Sequence, residues 1–498
     1  MPPAKPADKV EASQSITALT TKEKRPKVKK YSGKEKNLTT GRKIILTKVS
    51  IKPTDNADVK IPKKEPSLAK LMWVVSREVI QIANAEKATR AIKFMGPKGT
   101  RWVPTPQNSG TVLWHDGSMS VRVWPPCQVE LRPEVVSLPK YVPGARPASD
   151  SDVVKLSSNE NPYRPLLAVL EAITTAANEV NRYPDMQATE LMAALAARAQ
   201  VQPEQVAVGN GSVALLSHIL AAVVQPGDEV IYPWRSFEAY PIAISVAGAK
   251  GVPVPINAAG SNDLTDMVTA ITDKTKLIFV CSPNNPTGAI VTETDFVEFM
   301  EKVPTRVLVV LDEAYAEFVR DREAVDGLKL LDRFPNLITL RTLSKAQGLA
   351  GLRVGYAIGH PDVIAGVRAT ATPFGVNMLA QAGAVASLTS GAEQVLSHRV
   401  GAIVAERARV LGELRQQGWQ VPEAQGNFVW LPLGAATAEL AEAAKADGIL
   451  VRPFGDEGVR VTIADGAANN QFLWLANQWA NELQVNADDG GFDIGLLS

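Results

Sequence analysis

The stretch at residues 276–288 is KLIFVCSPNNPTG, an apolar run that passes directly into a polar turn. The same arrangement recurs downstream, where residues 306–315 are RVLVVLDEAY and residues 337–345 are LITLRTLSK. Short apolar runs that alternate with helical segments predict βαβ units whose parallel strands are buried on both faces. The sequence therefore predicts an α/β fold with a largely parallel central sheet.

Six strands of this sheet are predicted from such runs. They are Val206–Val208, Glu229–Tyr232, Lys276–Cys281, Arg306–Leu311, Leu337–Arg341 and Val354–Ile358. Helical patterns lie between them, as at Val213–Val224 and Thr294–Lys302. An Ala-rich helical region from Val376 to Gly412 is followed by strand patterns at Asn427–Leu431 and Val459–Ile463, which predicts a second, smaller α/β domain.

Length and composition narrow the class of protein. At 498 residues the chain exceeds the size at which one hydrophobic core stops growing. No apolar run approaches the length of about 18 residues that a membrane helix requires. The two cysteines, Cys127 and Cys281, lack neighbours at metal-ligand spacing, so we expect neither a disulfide framework nor a metal site. This cysteine usage favours a reducing, cytoplasmic compartment.

Charge is distributed unevenly along the chain. Residues 1–64 hold 17 Lys and Arg against 6 Asp and Glu, although the whole chain carries only +1. Their Pro, Ser, Thr and Lys content predicts a disordered basic tail. One amphipathic helix is predicted from Ser67 to about Ile92, and residues 96–126 are expected to form short extended pieces.

The polar turns after the strands carry the chemistry. The carboxyl ends of strands in an open α/β sheet line the ligand crevice, and four motifs lie there in a fixed order. They are Ser282–Gly288, Asp312–Tyr315, Thr342–Lys345 and Gly351–Arg353. This set resembles fold type I of the aspartate aminotransferase superfamily over about residues 130–485, which depend on pyridoxal phosphate (PLP).

Each motif also has a chemical interpretation that does not depend on the resemblance. Lys345 offers an amine that can form a Schiff base with the cofactor aldehyde, and Arg353 offers a guanidinium for its phosphate. Asp312 can hold the pyridine nitrogen protonated, which makes the ring an electron sink. The resemblance implies a wider cofactor-binding set. It consists of Asn210, Gly211, Ser212, Phe237, Asn285, Asp312, Tyr315, Thr342, Ser344, Lys345, Arg353 and, from the second subunit of a homodimer, Tyr183.

The resemblance also implies a division of the chain. We expect a basic tail at 1–64, an unassigned extension with one helix at 65–125, and an N-terminal arm with part of the small domain at 126–180. A large PLP-binding domain at 181–375, a C-terminal small domain at 376–486 and a tail at 487–498 complete the prediction.

Three further segments resemble the histidinol-phosphate aminotransferase subfamily. They are residues 156–163, 181–185 and 458–463. The resemblance implies that Arg460 binds the substrate carboxylate and that Tyr183 reaches the partner's cofactor phosphate, giving a homodimer with shared active sites. Within the subfamily, residues 234–241 and 451–460 resemble the aromatic amino acid aminotransferases, with Tyr163, Trp234 and Phe454 as candidates for an apolar pocket.

Two alternatives remain open. In histidinol-phosphate enzymes the arginine at the place of Arg452 meets the substrate phosphate, so that activity is the runner-up to transamination of aromatic amino acids with a 2-oxo acid such as 2-oxoglutarate. An aminotransferase-like transcription regulator would need a winged helix-turn-helix, whereas residues 66–95 predict one helix. We therefore expect an enzyme with small-molecule substrates and neither a membrane nor a nucleic acid partner. Residues 1–118 are expected to be dispensable for catalysis.

Overall fold

The computed structural model describes residues 94–95, 101–102, 110–115, 118–123, 129–138, 144–145 and 153–488. The chain divides into two compact units, residues 1–129 and 130–498. The predicted basic tail, the predicted helix at 67–92 and residues 489–498 lie outside the described residues.

The first unit contains two short antiparallel strand pairs. Strand β1 (Phe94–Met95) pairs with β2 (Arg101–Trp102), and β3 (Gly110–His115) pairs with β4 (Ser118–Val123). Asp116-Gly117 separates β3 from β4, a dipeptide that favours a tight hairpin turn. The described strands agree with the short extended pieces expected in this region.

A seven-stranded sheet forms the centre of the second unit. Its spatial order is β6-β12-β11-β10-β9-β7-β8, and only β12 runs antiparallel to its neighbours. The strands are β6 (Val206–Asn210), β7 (Glu229–Trp234), β8 (Lys250–Pro255), β9 (Thr275–Cys281), β10 (Leu308–Asp312), β11 (Leu337–Thr342) and β12 (Val354–Gly359). The α/β fold with a mostly parallel sheet is therefore confirmed.

The two faces of this sheet are both buried. Val309 and Leu311 of β10 pack into one apolar core, whereas the alternate residues Leu308 and Val310 pack into another on the opposite face. Side chains of a strand alternate between faces, so a strand covered on both sides must be apolar throughout. This explains why the central strands were recognisable as continuous apolar runs.

The described residues form twelve α-helices, several of which cover the sheet and connect its strands. They are α1 (Pro133–Val136), α2 (Leu167–Ala176), α3 (Thr189–Ala199), α4 (Ser212–Val223), α5 (Ala239–Ala247), α6 (Leu264–Thr269), α7 (Glu293–Lys302), α8 (Pro361–Ala369), α9 (Met378–Ser387), α10 (Ser390–Gln416), α11 (Thr437–Ala446) and α12 (Gly466–Asp488). The helical region predicted from Val376 to Gly412 consists of two helices, α9 and α10. Thr389 begins α10, because its hydroxyl accepts a hydrogen bond from the Ala392 N–H as an N-cap.

A smaller sheet lies in the C-terminal part. It consists of β13 (Phe428–Leu431), β16 (Gly458–Thr462) and β15 (Arg452–Phe454), paired antiparallel in that order. Strand β5 (Val154–Lys155) pairs in parallel with β14 (Ile449–Leu450), which ties the residues before α2 to this part of the chain. Within the described residues no helix has both the length and the apolar character needed to cross a membrane.

Candidate functional site

The predicted site residues converge on one edge of the seven-stranded sheet. Asn210, Asp312 and Thr342 are the last residues of β6, β10 and β11, and these strands share one direction. Strand β12 runs the opposite way and begins directly after Arg353, so its start lies at the same edge. The crevice therefore forms where parallel strands end, as expected for an open α/β sheet.

Asp312 is a buried acid at the centre of this edge. One carboxylate oxygen accepts a hydrogen bond from Tyr240 Oη at 2.8 Å and the other from the Ala314 N–H at 3.2 Å. Burial raises the pKa of Asp312 to about 6, and the two hydrogen bonds act in the opposite direction. A cation beside this carboxylate would stabilise its ionised form, because the attraction between the two charges offsets the cost of burying them.

Lys345 follows β11 and presents its amine to the crevice. Its Nζ atom donates to the Ser158 carbonyl at 3.2 Å and lies 5.8 Å from the centre of the Tyr315 ring. Burial, reinforced by the nearby charge of Arg460, lowers the pKa of Lys345 to about 7. A substantial fraction of this amine is therefore neutral and nucleophilic near neutral pH.

The turn between β6 and α4 adjoins Arg353. Gly211 has φ of +80°, and a Cβ atom there would lie 2.4 Å from Arg353 Nη2. Helix α4 begins at Ser212, so the N–H groups of its first turn are available to an anion. Across the sheet edge, Thr342 Oγ1 and Ser344 Oγ are 3.0 Å apart. These backbone and side-chain donors match the requirements of a phosphate group.

Tyr315 and Asn285 lie on the other side of Lys345. Tyr315 is buried, and its hydroxyl oxygen accepts a hydrogen bond from Asn159 Nδ2 at 2.9 Å. The Asn285 amide oxygen accepts from Arg460, which also donates to the Ser157 carbonyl at 3.0 Å. Burial raises the pKa of Tyr315 to about 12, so its hydroxyl remains protonated and can donate to a ligand.

The small sheet supplies the opposite wall. Arg452 of β15 and Arg460 of β16 are register partners, and their guanidinium carbons lie 5.3 and 5.4 Å from the centre of the Phe454 ring. The Trp430 ring meets Phe454 edge-on, with the ring centres 5.6 Å apart. Arg452 forms an ion pair with Glu238, at 2.5 Å between Nη2 and Oε2.

Three predicted aromatic residues take different positions. Phe237 is half-buried and meets Tyr240 edge-on at 5.6 Å, which keeps it beside Asp312. Tyr163 is 40% exposed, but its segment is joined to Lys345 because Asn161 bonds to both the Tyr163 N–H and the Lys345 carbonyl. Tyr183 is 81% exposed and packs on Phe374 instead of on the other site residues.

Sequence reasoning missed two buried contacts of the site. Tyr240 lies in the segment 234–241, yet the sequence does not indicate its bond to Asp312, which is 72 residues away. Asn159 lies in the segment 156–163, and its bond to Tyr315 likewise spans 156 residues. The available signal was the spacing of Tyr240, which follows Phe237 by three residues. Residues at that spacing on a helix are neighbours, so the Tyr240 hydroxyl is near the Phe237 ring.

The residues present fit PLP. A buried acid that lacks a cation among its hydrogen-bond donors suits a pyridine nitrogen, and a largely neutral amine suits an aldehyde. Gly211 has a φ of +80°, which L side chains rarely adopt, so this turn favours glycine and brings the backbone close to the Arg353 guanidinium.

Comparisons with known proteins agree with this chemistry. The family model described as aminotransferase class I and II matches residues 151–471. An aromatic amino acid aminotransferase of Streptomyces coelicolor is 53% identical over 355 residues, which cover 71% of this chain and 98% of that protein. One of Thermobifida fusca is 52% identical over 350 residues, covering 70% and 97%.

Solved structures give the same result for the fold. The structure of histidinol-phosphate aminotransferase from Sinorhizobium meliloti in complex with pyridoxal-5'-phosphate is similar, with a TM-score of 0.65 and 27% identity. The match covers 72% of this chain and 99% of that one. The residues that the family model matches, 151–471, lie within the second unit.

Proposed function

The chain belongs to the class I and II aminotransferase family, and from that premise we propose that it transfers the amino group of aromatic amino acids to 2-oxo acids. The observation that carries the choice of substrate is the wall of the crevice. There the rings of Phe454 and Trp430 lie beside Arg460, so an apolar surface adjoins a guanidinium suited to a carboxylate. Relatives that are 47–53% identical carry the name aromatic amino acid aminotransferase.

We propose that PLP is held by the residues at the sheet edge. Lys345 binds it covalently, Asp312 pairs with its ring nitrogen, and Tyr315 with Asn285 faces its ring hydroxyl oxygen. Its phosphate would be held at the start of α4 by the residues Asn210, Gly211, Ser212, Thr342, Ser344 and Arg353. When bound, PLP supplies an electron sink that stabilises negative charge at the substrate α-carbon.

The protein's own groups then orient the substrate and move the proton. Arg460 binds the α-carboxylate with a planar fork, which fixes the direction of the α-carbon–hydrogen bond. Once the amino donor has displaced Lys345 from the cofactor, the freed Nζ, whose pKa is lowered to about 7, would remove the α-proton as a general base. The half-buried Phe237 would lie against the cofactor ring and limit the access of water to the reacting atoms.

The remaining parts of the proposal concern the acceptor and the assembly. We propose 2-oxoglutarate as acceptor and ping-pong kinetics, in which the first oxo acid leaves before the acceptor binds. Tyr183, exposed in a single chain, is assigned to the active site of a second copy in a homodimer. With two cysteines in 498 residues, we assign the enzyme to the cytoplasm.

A second candidate activity is histidinol-phosphate transamination. One specific observation favours it. Arg452 is buried and is the register partner of Arg460 on the adjacent strand. A cation in that position would meet a phosphate at the far end of a substrate. The S. meliloti neighbour, named for that activity, shares the fold.

Steady-state kinetics with phenylalanine, tyrosine and histidinol phosphate as donors separates the two candidates. We expect the highest kcat/KM for phenylalanine or tyrosine, and no turnover or cofactor absorbance shift in Lys345→Ala. A higher kcat/KM for histidinol phosphate would establish the second activity instead. Lys302→Ala, which removes an exposed lysine on α7, serves as the matched control.

A further inference from the structure

We propose that Glu238 determines the donor preference of this enzyme by neutralising Arg452, so that uncharged aromatic side chains are accepted and anionic ones are disfavoured. The inference deepens the proposed function and rests on it. Glu238 follows Phe237 in the loop between β7 and α5, and its carboxylate contacts Arg452 of the small sheet.

The position of Arg452 follows from strand register. Arg452 and Arg460 are directly opposite in the antiparallel pair β15–β16, and residues paired in this way project from the same face. Arg460 reaches Asn285 and Ser157 inside the crevice. Arg452 therefore enters the same crevice one strand further from Asn285, where the end of a substrate side chain would lie.

Glu238 is the counter-charge of this arginine. Its Oε2 is 2.5 Å from Arg452 Nη2, and the two side chains are 30% and 8% exposed. A second ion pair, between Arg235 and Glu457, lies beside the first. The Arg235 guanidinium stacks on Trp234 at 4.1 Å and lies 5.8 Å from the Phe454 ring. The two arginines and two glutamates at this end of the crevice thus cancel in charge.

This cancellation discriminates between substrates. A phosphate that approached Arg452 would lose its hydration and would also come next to the carboxylate of Glu238, a like-charge contact that is strongly unfavourable. An uncharged ring loses little hydration, and it can lie against the planar guanidinium groups and the Phe454 ring. The same arginine that suggests a phosphate site in the sequence therefore becomes part of an aromatic pocket.

The inference is tested with Glu238→Gln in the PLP-loaded enzyme. We expect the ratio of kcat/KM for histidinol phosphate to that for phenylalanine to rise at least about tenfold, mainly through a lower KM for histidinol phosphate. The double variant Glu238→Gln with Arg452→Ala should lose this gain. Glu238→Asp, which keeps the charge, should retain the wild-type preference.

Two controls keep the result interpretable. Glu301→Gln removes the acid of an exposed Arg–Glu pair with Arg333 and should leave the ratio unchanged. Competitive inhibition by inorganic phosphate, measured with phenylalanine as donor, should strengthen in Glu238→Gln at least about tenfold as well. It reports on the arginine even where turnover of histidinol phosphate is slow.

The outcomes separate the inference from the proposed function. A wild-type preference for phenylalanine with no change in the ratio or in phosphate inhibition in folded Glu238→Gln would overturn the inference alone. So would a gain that persists in the double variant. A wild-type preference for histidinol phosphate would overturn the proposed function itself, because Arg452 would then serve a phosphate despite its partner.

Discussion

The hydrogen bond from Tyr240 to Asp312 has consequences that Tyr240→Phe should expose. The substitution removes one hydroxyl and keeps the ring, which stacks on Phe279 at 4.8 Å between ring centres. Asp312 would retain the Ala314 N–H as its remaining described donor. We expect the variant to fold and to bind PLP more weakly.

The magnitude follows from the burial of both partners. Asp312 and Tyr240 are both buried, and their atoms lie 2.8 Å apart. A hydrogen bond to a charged group contributes about 1.5–3 kcal/mol, and this range applies here because both partners are buried. Because about 1.4 kcal/mol corresponds to a tenfold change, PLP affinity should fall roughly ten- to hundredfold.

The pH dependence gives a second, independent signature. Burial raises the pKa of Asp312 to about 6, and the bond from Tyr240 lowers it from an even higher value. Pairing with a protonated ring nitrogen requires the ionised carboxylate, so wild-type affinity should decline as the pH falls through about 6. Without Tyr240 the pKa of Asp312 is higher still. In the variant the decline should therefore begin at a higher pH.

Titration of apoenzyme with PLP from pH 5 to 8.5, followed by cofactor absorbance, measures both effects. Tyr232→Phe is the matched control, since it removes another buried hydroxyl from the strand before the site loop. The reasoning fails if Tyr240→Phe binds PLP within twofold of the wild type at pH 8 and shows an unchanged pH midpoint. An equal loss in the Tyr232→Phe control would also contradict it.

Three further predictions concern separate parts of the molecule. Because burial lowers the pKa of Lys345 to about 7, the rate of covalent PLP attachment to apoenzyme should rise with pH through 7 and level off above it, measured by stopped-flow absorbance. Arg452→Ala should reduce kcat/KM for phenylalanine by less than about tenfold in steady-state assays, because a neutralised arginine contributes little binding energy to an uncharged ring. A chain of residues 130–498 should bind PLP and turn over phenylalanine within about twofold of the full chain, since every site residue lies in that unit. Insolubility or loss of cofactor in the short chain would show that residues 1–129 support the enzyme.

The central sheet was predictable because its physical signal is local. Strands β9, β10 and β11 are rich in apolar residues on both faces, as required for burial on both sides, and each run passes into a polar turn. Strand β8 was not predicted. It is an edge strand with Pro253 and Pro255, which weaken a strand pattern, and it pairs only with β7. An edge position tolerates such residues, but sequence alone does not reveal which strand lies at the edge.

The candidate site was predictable only as far as its residues follow strand ends. Lys345, Asp312 and Arg353 stand at fixed offsets from apolar runs, so their meeting at one edge follows from topology. Tyr240 and Asn159 reach the site through contacts that depend on the path of a helix start and of an extended segment. Those paths are set by tertiary packing, which leaves no periodic trace in sequence.

The substrate end of the crevice shows why the identity of a charged residue does not decide its role. In sequence, Arg452 is a cation that the resemblance to histidinol-phosphate aminotransferases assigns to a substrate phosphate, and its acid partner Glu238 is 214 residues away. The two meet because the loop after β7 faces the hairpin of β15 and β16, and the same approach joins Arg235 to Glu457. Any movement of the hairpin away from the loop would break both ion pairs. It would also separate the Phe454 ring from the Arg235 guanidinium, which stacks on Trp234. The neutral charge and the aromatic wall of the pocket therefore form together, and a substitution that releases the arginine should also loosen the apolar surface that the proposed substrates require.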